Sequence, residues 1–306
     1  MRNKNDWFVI INPISGFGKS EEVWNYIDSQ LSESFDFFHT HTKFPHHATT
    51  LLIDAVSDGY RNFLCIGGDG TLHDAVNGVM LQNTCENQEI QIAFYSCGTG
   101  NDWQRNNFKD TSIEYFVERF IEQDYLVHDV GKISCIIEKE RRNHYFINMA
   151  GVGFDAFVVQ NMQSEKSNRF AYLFAMLKSL FRYKHIALKI EFDNQIIECK
   201  SYTSIIALNK YAGGGMKLAP NAVNNDGLFD VVIVKDLSIP MVLLNTHKMY
   251  SGSYTNLKKV QSFRTNHIKV SVNENIENTY TQAEGELIGT GPFEFTCIPK
   301  AIKILI

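Results

Sequence analysis

The chain has 306 residues, about twice the usual single-domain length of roughly 150, so two domains are the starting expectation. Hydrophobic residues make up 44% and charged residues 21%, ordinary globular values that exclude a disordered or collagen-like chain. The net charge of -5 argues against a protein that coats nucleic acid, and no nucleic-acid partner is expected.

The opening segment, MRNKNDWFVIIN, is charged and passes directly into a strand pattern, without the apolar stretch and cleavage site of a signal peptide. No run reaches the roughly 18 apolar residues of a membrane span; the longest tight one, Phe170 to Leu177, ends at Lys178. The cysteines at 65, 85, 97, 135, 199 and 297 form no CxxC pair, so neither a zinc site nor a disulfide framework is indicated. These features predict a soluble, cytoplasmic protein.

In chain order, Trp7 to Ile11 reads as a strand buried on both faces. After a glycine-containing loop, Glu21 and Glu22 stand where a helix N-terminus favours acids, and Val23, Trp24, Ile27 and Leu31 share one helical face. Phe35 to Phe38 is a second predicted strand, followed by a helix with the stripe Leu51, Leu52, Ala55 and Val56. Phe63 to Ile66 is a third, breaking at Gly67-Gly68 into a helix near Thr71. Ile90 to Tyr95 is a fourth, and Thr111 with Glu114 forms a capping-box pair before the stripe Ile113 to Ile121. Strands alternating with helices predict a parallel sheet covered by helices.

From about Asp129 the pattern changes to strands: Ile133–Ile137, Ile186–Phe192, Ile196–Lys200, Thr203–Leu208, Phe229–Val234, Ile268–Val272 and Phe293–Ile298. Asp193-Asn194 is a hairpin-turn candidate, and only two helices are predicted, at roughly 168–184 and 238–250. The expected architecture is an α/β domain with a parallel sheet over 1–128, then a β-rich antiparallel sandwich over 129–306. The helix around Phe170, Tyr172, Phe174 and Phe181 ends in Lys178, Arg182, Lys184 and His185. It reads either as a core helix with a basic end or as a surface that leans on a membrane. Histidines 39, 41, 46 and 47 lack an acidic or cysteine partner in sequence and read as solvated loop residues.

Three glycine-rich turns in the first half each follow a predicted strand: Asn12 to Ser20, Gly67 to Thr71, and Gly98 to Asp102. The first lacks the spacing of a P-loop. In the second, consecutive glycines allow close backbone approach and a following helix N-terminus favours phosphate, while Asp69 in the turn suggests Mg²⁺ chemistry. All three fall at carboxyl ends of parallel strands, where open α/β sheets bind ligands.

The run Gly67-Gly68-Asp69-Gly70-Thr71-Leu72-His73-Asp74-Ala75-Val76-Asn77-Gly78 resembles the signature of the diacylglycerol kinase catalytic domain family. That family includes bacterial lipid kinases and is related to sphingosine and ceramide kinases. Asn12 to Gly16 and Gly98 to Asp102 are similar to its first and third loops. Asn148 to Asp155, Pro220-Asn221-Ala222 with Asp226-Gly227, and Glu284-Gly285-Glu286 continue the likeness in the family's order.

The resemblance implies a two-domain kinase with ATP in the cleft between domains and a lipid alcohol as acceptor, with diacylglycerol leading. It implies nucleotide contacts at Asn12, Pro13, Ile14, Ser15, Gly16, Thr42, Gly68, Asp69, Gly70, Thr71, Leu72, His73, Asp74 and Thr99. Asp69, Asp102 and Asp129 would form an acidic network for Mg²⁺, partly neutralised by Arg105, and Glu286 would be the general base. A second metal would sit at Asp226 with the backbone oxygens of Val223 and Leu228. Two departures stand out: Glu284 replaces the usual aspartate, which leaves open which glutamate is the base, and Phe17 stands where bacterial members often carry a basic residue. Such an enzyme would visit the bilayer as a peripheral protein. The rival readings are a sphingoid-base or ceramide kinase, a soluble NAD or sugar-phosphate kinase, and a non-enzymatic nucleotide or lipid sensor.

Overall fold

The structure is a computed structural model that describes residues 3, 6–162, 178–272 and 279–305. The chain forms two compact units, the first from residues 1–130 together with 299–306, the second from residues 131–298.

In the first unit, β1 (Asp6–Ile11) lies between β2 (Asp36–His41) and β3 (Asn62–Gly67), and β4 (Gln91–Ser96) pairs with β3 on its other side, all parallel. The sheet is completed by the end of the last strand, where Lys303 to Leu305 run parallel to Gln91 to Ala93. Every residue of β3 is buried, which explains why its sequence, NFLCIG, is apolar without alternation after Asn62. Helices α1 (Lys19–Leu31), α2 (His47–Ser57), α3 (Asp69–Leu81), α4 (Asp102–Asn107) and α5 (Ile113–Glu122) fill the connections. Of these, α1 packs on α5 and α2 on α3.

The second unit is antiparallel throughout its described ladders. Here β7 (Met149–Gly153), β9 (Gln195–Ala207), β12 (Phe229–Lys235) and β13 (Val260–Thr265) pair side by side. The first half of β9 pairs instead with β8 (Ile186–Phe192), which pairs with β14 (His267–Val272), and β14 in turn with β16 (Glu286–Leu305). One 13-residue strand therefore pairs with three others, β7 and β12 along its second half and β8 along its first, as a strand does where a sandwich turns its corner. Between them lies an apolar core in which Phe146 stacks on Phe229 at 5.7 Å and Phe192 on Phe263 at 3.8 Å.

Several local expectations are corrected. Residues 196–200 and 203–207 belong to one strand, in which Ser201 and Tyr202 are buried and the pairing with β12 shifts register at Tyr202. The expected strand at 133–137 is the end of a longer one, β5 (Tyr125–Ile137); an unexpected helix, α6 (Phe154–Met162), follows β7, and β6 (Glu140–Phe146), β7, the short pair β10 (Tyr211–Ala212) and β11 (Met216–Lys217), β13 and β15 (Tyr280–Ala283) are further strands. Ser112, not Thr111, caps α5, its hydroxyl accepting the Tyr115 N–H at 3.4 Å. Asp69 opens α3 itself, two residues ahead of the expected start. His39 and His41 lie within β2 rather than a loop, and His41 pairs with Glu21 at 2.5 Å. The Asp193-Asn194 turn is present, both residues holding left-handed φ values of 44° and 62°. Of the helix expected at 168–184, residues 178–182 are helical, whereas Phe170, Tyr172, Leu173, Phe174, Met176 and Leu177 lie outside the described residues. Among the described residues no helix is long and apolar enough to cross a membrane.

Candidate active site

Parallel pairing sets the site. Ile11 is level with Ile66, and Gly67 with Ser96, so the chain leaves β1, β3 and β4 at one edge of the sheet. The three turns meet there and are stitched together. The Ser15 hydroxyl accepts the Gly68 N–H at 3.1 Å, the Asn12 side chain donates to the Thr71 hydroxyl at 3.1 Å, and the Cys97 N–H donates to the Gly67 carbonyl at 2.8 Å. Gly98 approaches Gly68 so closely that a Cβ there would stand 2.8 Å from the Gly68 Cα. The turns surround a cavity of about 450 Å³, lined among others by Asn12, Ser15, Gly68, Asp69, Gly98 and Thr99.

The first turn is unusual in its backbone. Gly16, Phe17 and Gly18 all have positive φ, and the Phe17 side chain is 97% exposed at the rim of the cavity. A left-handed phenylalanine is strained, and such strain clusters at functional turns.

Asp69 lines the cavity and accepts the backbone N–H groups of Asp102 at 3.1 Å and Trp103 at 3.3 Å. A Cβ built at Gly100 would stand 3.0 Å from Asp69 Oδ2 and 3.6 Å from Asp102 Oδ2, so both carboxylates turn toward one point. Burial pushes the Asp69 carboxyl above the ordinary carboxylate range and the charge of Asp102 adds to this, against the pull of the two N–H groups. Arg105 pairs with Asp102 at 2.6 Å, as its position three residues on suggests. Among the described residues no group of three His, Cys, Asp or Glu side chains could hold a metal. Two converging carboxylates nevertheless suit Mg²⁺, which is commonly held by one or two carboxylates, water and substrate phosphates.

Pro13 and Ile14 lie in the first turn, with Ile14 at the cavity wall, and Gly70 lines the cavity from the start of α3. Thr42 follows β2 and donates its N–H to Ile11; it is not part of the cavity wall. Leu72 and His73 are buried in α3, and Asp74 faces His46 at 3.0 Å. Asp129 is fully buried and accepts the Lys300 N–H at 2.6 Å; the ring of His128 beside it lies 6.3 Å from that of Trp103. Gly98, Gly100 and Phe17 also line the cavity, and the glycine pair of the third turn was the available signal for the first two.

In the second unit Glu286 opens β16 opposite Ala283, just after the two-residue turn Glu284-Gly285. The Glu284 carboxylate accepts two backbone N–H groups, from Ile147 at 3.0 Å and Asn148 at 2.6 Å. Asp226 is ion-paired with Arg264, which also binds Asp230 at 3.1 Å, and its other oxygen accepts the Leu228 N–H at 3.2 Å; Val223 is exposed.

Turns at the strand edge of an α/β unit, lining a cavity beside two converging carboxylates, suit the binding of phosphate groups and a cation. Residues 6–133 match the Diacylglycerol kinase catalytic domain family, and residues 148–306 match the YegS C-terminal NAD kinase beta sandwich-like domain. The chain belongs to the diacylglycerol kinase family of lipid kinases. It is 26% identical to a Bacillus subtilis protein named as lipid kinase YtlR, over 97% of this chain and 98% of that one. It is 25% identical to a B. subtilis diacylglycerol kinase, over 97% and 95% of the two chains. Its fold matches a solved structure described as a diacylglycerol kinase, from Bacillus anthracis strain Sterne, with a TM-score of 0.76 at 21% identity, covering 99% of this chain and 98% of that one.

Proposed function

We propose that this lipid kinase transfers the γ-phosphate of ATP, with Mg²⁺, to the free hydroxyl of diacylglycerol, giving phosphatidic acid. The observation that carries the reading is the stitched cradle: three turns lining one cavity with Asp69 and Asp102 converging beside it. Full-length likeness to a diacylglycerol kinase supports the acceptor.

In this reading the backbone of Asn12 to Gly16, Gly68, Gly70, Thr71 and Thr99 holds the phosphates, and α3 offers them its positive end. Bound Mg²⁺ would offset charge on the phosphate oxygens, held through Asp69 and Asp102, with Asp129 supporting the network and Arg105 keeping Asp102 in place. Glu286 accepts the hydroxyl proton as the new P–O bond forms, which is all that an alcohol nucleophile at neutral pH requires. Glu284 is occupied with backbone amides, which supports Glu286 as the base. Leu72, His73 and Asp74 shape the helix behind the cradle. The Asp226 turn, with the carbonyls of Val223 and Leu228, would hold a structural cation only in competition with Arg264.

Diacylglycerol resides in the bilayer, so the enzyme acts there as a peripheral protein. Phe181, 67% exposed beside Arg182 and Lys184, supports such contact. The deciding experiment measures ATP consumption with diacylglycerol, ceramide, sphingosine and NAD, the lipids in mixed micelles, and identifies the product. Phosphatidic acid is expected; turnover only with another acceptor reassigns the substrate, and turnover with none of them overturns the reading.

A further inference from the structure

The hairpin that carries Glu286 is tied down by a side-chain relay that the kinase reading does not use. Its turn residues, Glu284 and Gly285, both have left-handed φ values, 54° and 82°. Two adjacent residues of this kind form the tight turn that matches strand twist, and the turn geometry sets how the next residue leaves it. The Gly285 N–H donates to Gln282 Oε1 at 3.0 Å. At the other end of the same amide, Gln282 Nε2 donates to Asp155 Oδ2 at 2.8 Å. The remaining oxygen of Asp155 accepts the Thr203 hydroxyl at 2.8 Å.

The direction of this relay is fixed by chemistry. A backbone N–H can only donate, so the amide oxygen of Gln282 must face Gly285, and its NH₂ must face an acceptor. Asp155 supplies that acceptor from the start of α6. The space for it is provided across the ladder: Gly151 is the strand partner of Gln282, and a Cβ on Gly151 would stand 1.9 Å from Asp155 Oδ2. The ladder between β15 and β16 also shifts register between Thr281 and Gln282, so that an extra residue enters β16 close to Glu286. Such bulges recur where a side chain must be re-aimed.

We propose that Gln282 is a positioning residue for Glu286, its amide bridging Asp155 to the Gly285 turn and so holding the glutamate in the orientation that receives the hydroxyl proton. The inference rests on the reading of Glu286 as the base. It needs a side chain that accepts at one end and donates at the other, which a glutamine provides and a glutamate does not.

Gln282→Glu would set two carboxylates against each other and lose the donor. The polarity-swapped pair Asp155→Asn with Gln282→Glu restores it, because the asparagine amide then donates to the new carboxylate, which still accepts the Gly285 N–H. Activity is measured with ATP and diacylglycerol in mixed micelles, as kcat per molecule competent to bind nucleotide, so that unfolded protein does not count. Gln282→Glu is expected to lower kcat about 10- to 100-fold with KM for ATP unchanged. The double variant is expected to return to within about threefold of the starting enzyme, again with KM for ATP unchanged. Full kcat in Gln282→Glu, or a folded double variant that stays as impaired as the single one, overturns the proposal. Glu286→Gln, assayed alongside, separates the two readings: activity retained there sinks the base assignment and the positioning role together. An inactive Glu286→Gln with a fully active Gln282→Glu sinks the positioning role alone.

Discussion

The carboxylate of Glu284 accepts the N–H of Asn148 at 2.6 Å, and this bond separates the two acids of the Glu-Gly-Glu turn. Glu284 ties the hairpin to the segment leading into β7, whereas Glu286 stands on the far side of the turn, at the start of β16. Glu284→Ala should therefore act on stability, costing about 2 kcal/mol by stranding backbone donors. Glu286→Gln should leave folding and ATP binding intact and reduce turnover at least about 100-fold. Thermal denaturation, nucleotide titration and steady-state rates on both variants check this; a larger loss of stability in Glu286→Gln than in Glu284→Ala would reverse the roles.

Close contact between the second and third turns makes the cradle sensitive to one methyl group. In Gly98→Ala the new Cβ would lie 2.8 Å from the Gly68 Cα, so the two backbones must separate. KM for ATP should rise at least about tenfold, as a misplacement on the ångström scale implies. Gly18→Ala is the comparison: its φ of 91° is strained, but nothing lies within 4 Å of the added atom. It should lower stability by about 1 kcal/mol and leave KM for ATP near its starting value.

The raised pKa of Asp69 gives the metal effect a pH dependence with a definite sign. Because the folded value lies above the unfolded one, this group contributes stability that is fully present below the unfolded value and lost as pH rises through the folded value. Mg²⁺ binding requires the ionised form, so it offsets that loss. The rise in Tm on adding Mg²⁺ should be small at acid pH and grow as pH passes through the raised value. Differential scanning fluorimetry with Mg²⁺ or a chelator across pH reads this directly; a Mg²⁺ effect that shrinks toward neutral pH would argue against Asp69 as a ligand.

Phe181 is exposed beside cations, whereas its neighbour Leu180 is buried. Phe181→Ser should leave Tm within about 1 °C, because little apolar area is uncovered, and should weaken sedimentation with anionic phospholipid vesicles. Unchanged sedimentation would assign membrane contact elsewhere.

Much of the nucleotide side could be read in the sequence because its signals are local. Strand runs end in glycine turns, and parallel pairing brings those turns to one edge without further information. The third-turn ion pair between Asp102 and Arg105 was legible for the same reason. The second unit was harder, because its determinants are cross-strand. The half-exposed strands β6 and β13 are written mostly in polar residues, and α6 begins inside a motif that looks like a glycine loop. Glu284 and Glu286 look equivalent in one dimension. They differ in that Ile147 and Asn148, more than a hundred residues earlier, present their N–H groups to Glu284. The end of β16 is hidden for a different reason: Pro299 and Lys300 break the apolar pattern after Ile298, before Ile302, Ile304 and Leu305 resume it in the buried core.

Those last residues close one edge of the parallel sheet, although they are the last of it to be synthesised. Until Lys303 to Leu305 arrive, β4 is the outermost strand of a parallel sheet, paired with β3 on one side and with its outward backbone donors and acceptors unpaired. The nascent nucleotide half thus waits, sticky-edged, through the synthesis of the entire second unit. Truncation after residue 298 should consequently harm the half of the molecule most remote from the cut in sequence, yielding aggregates instead of a trimmed but working enzyme.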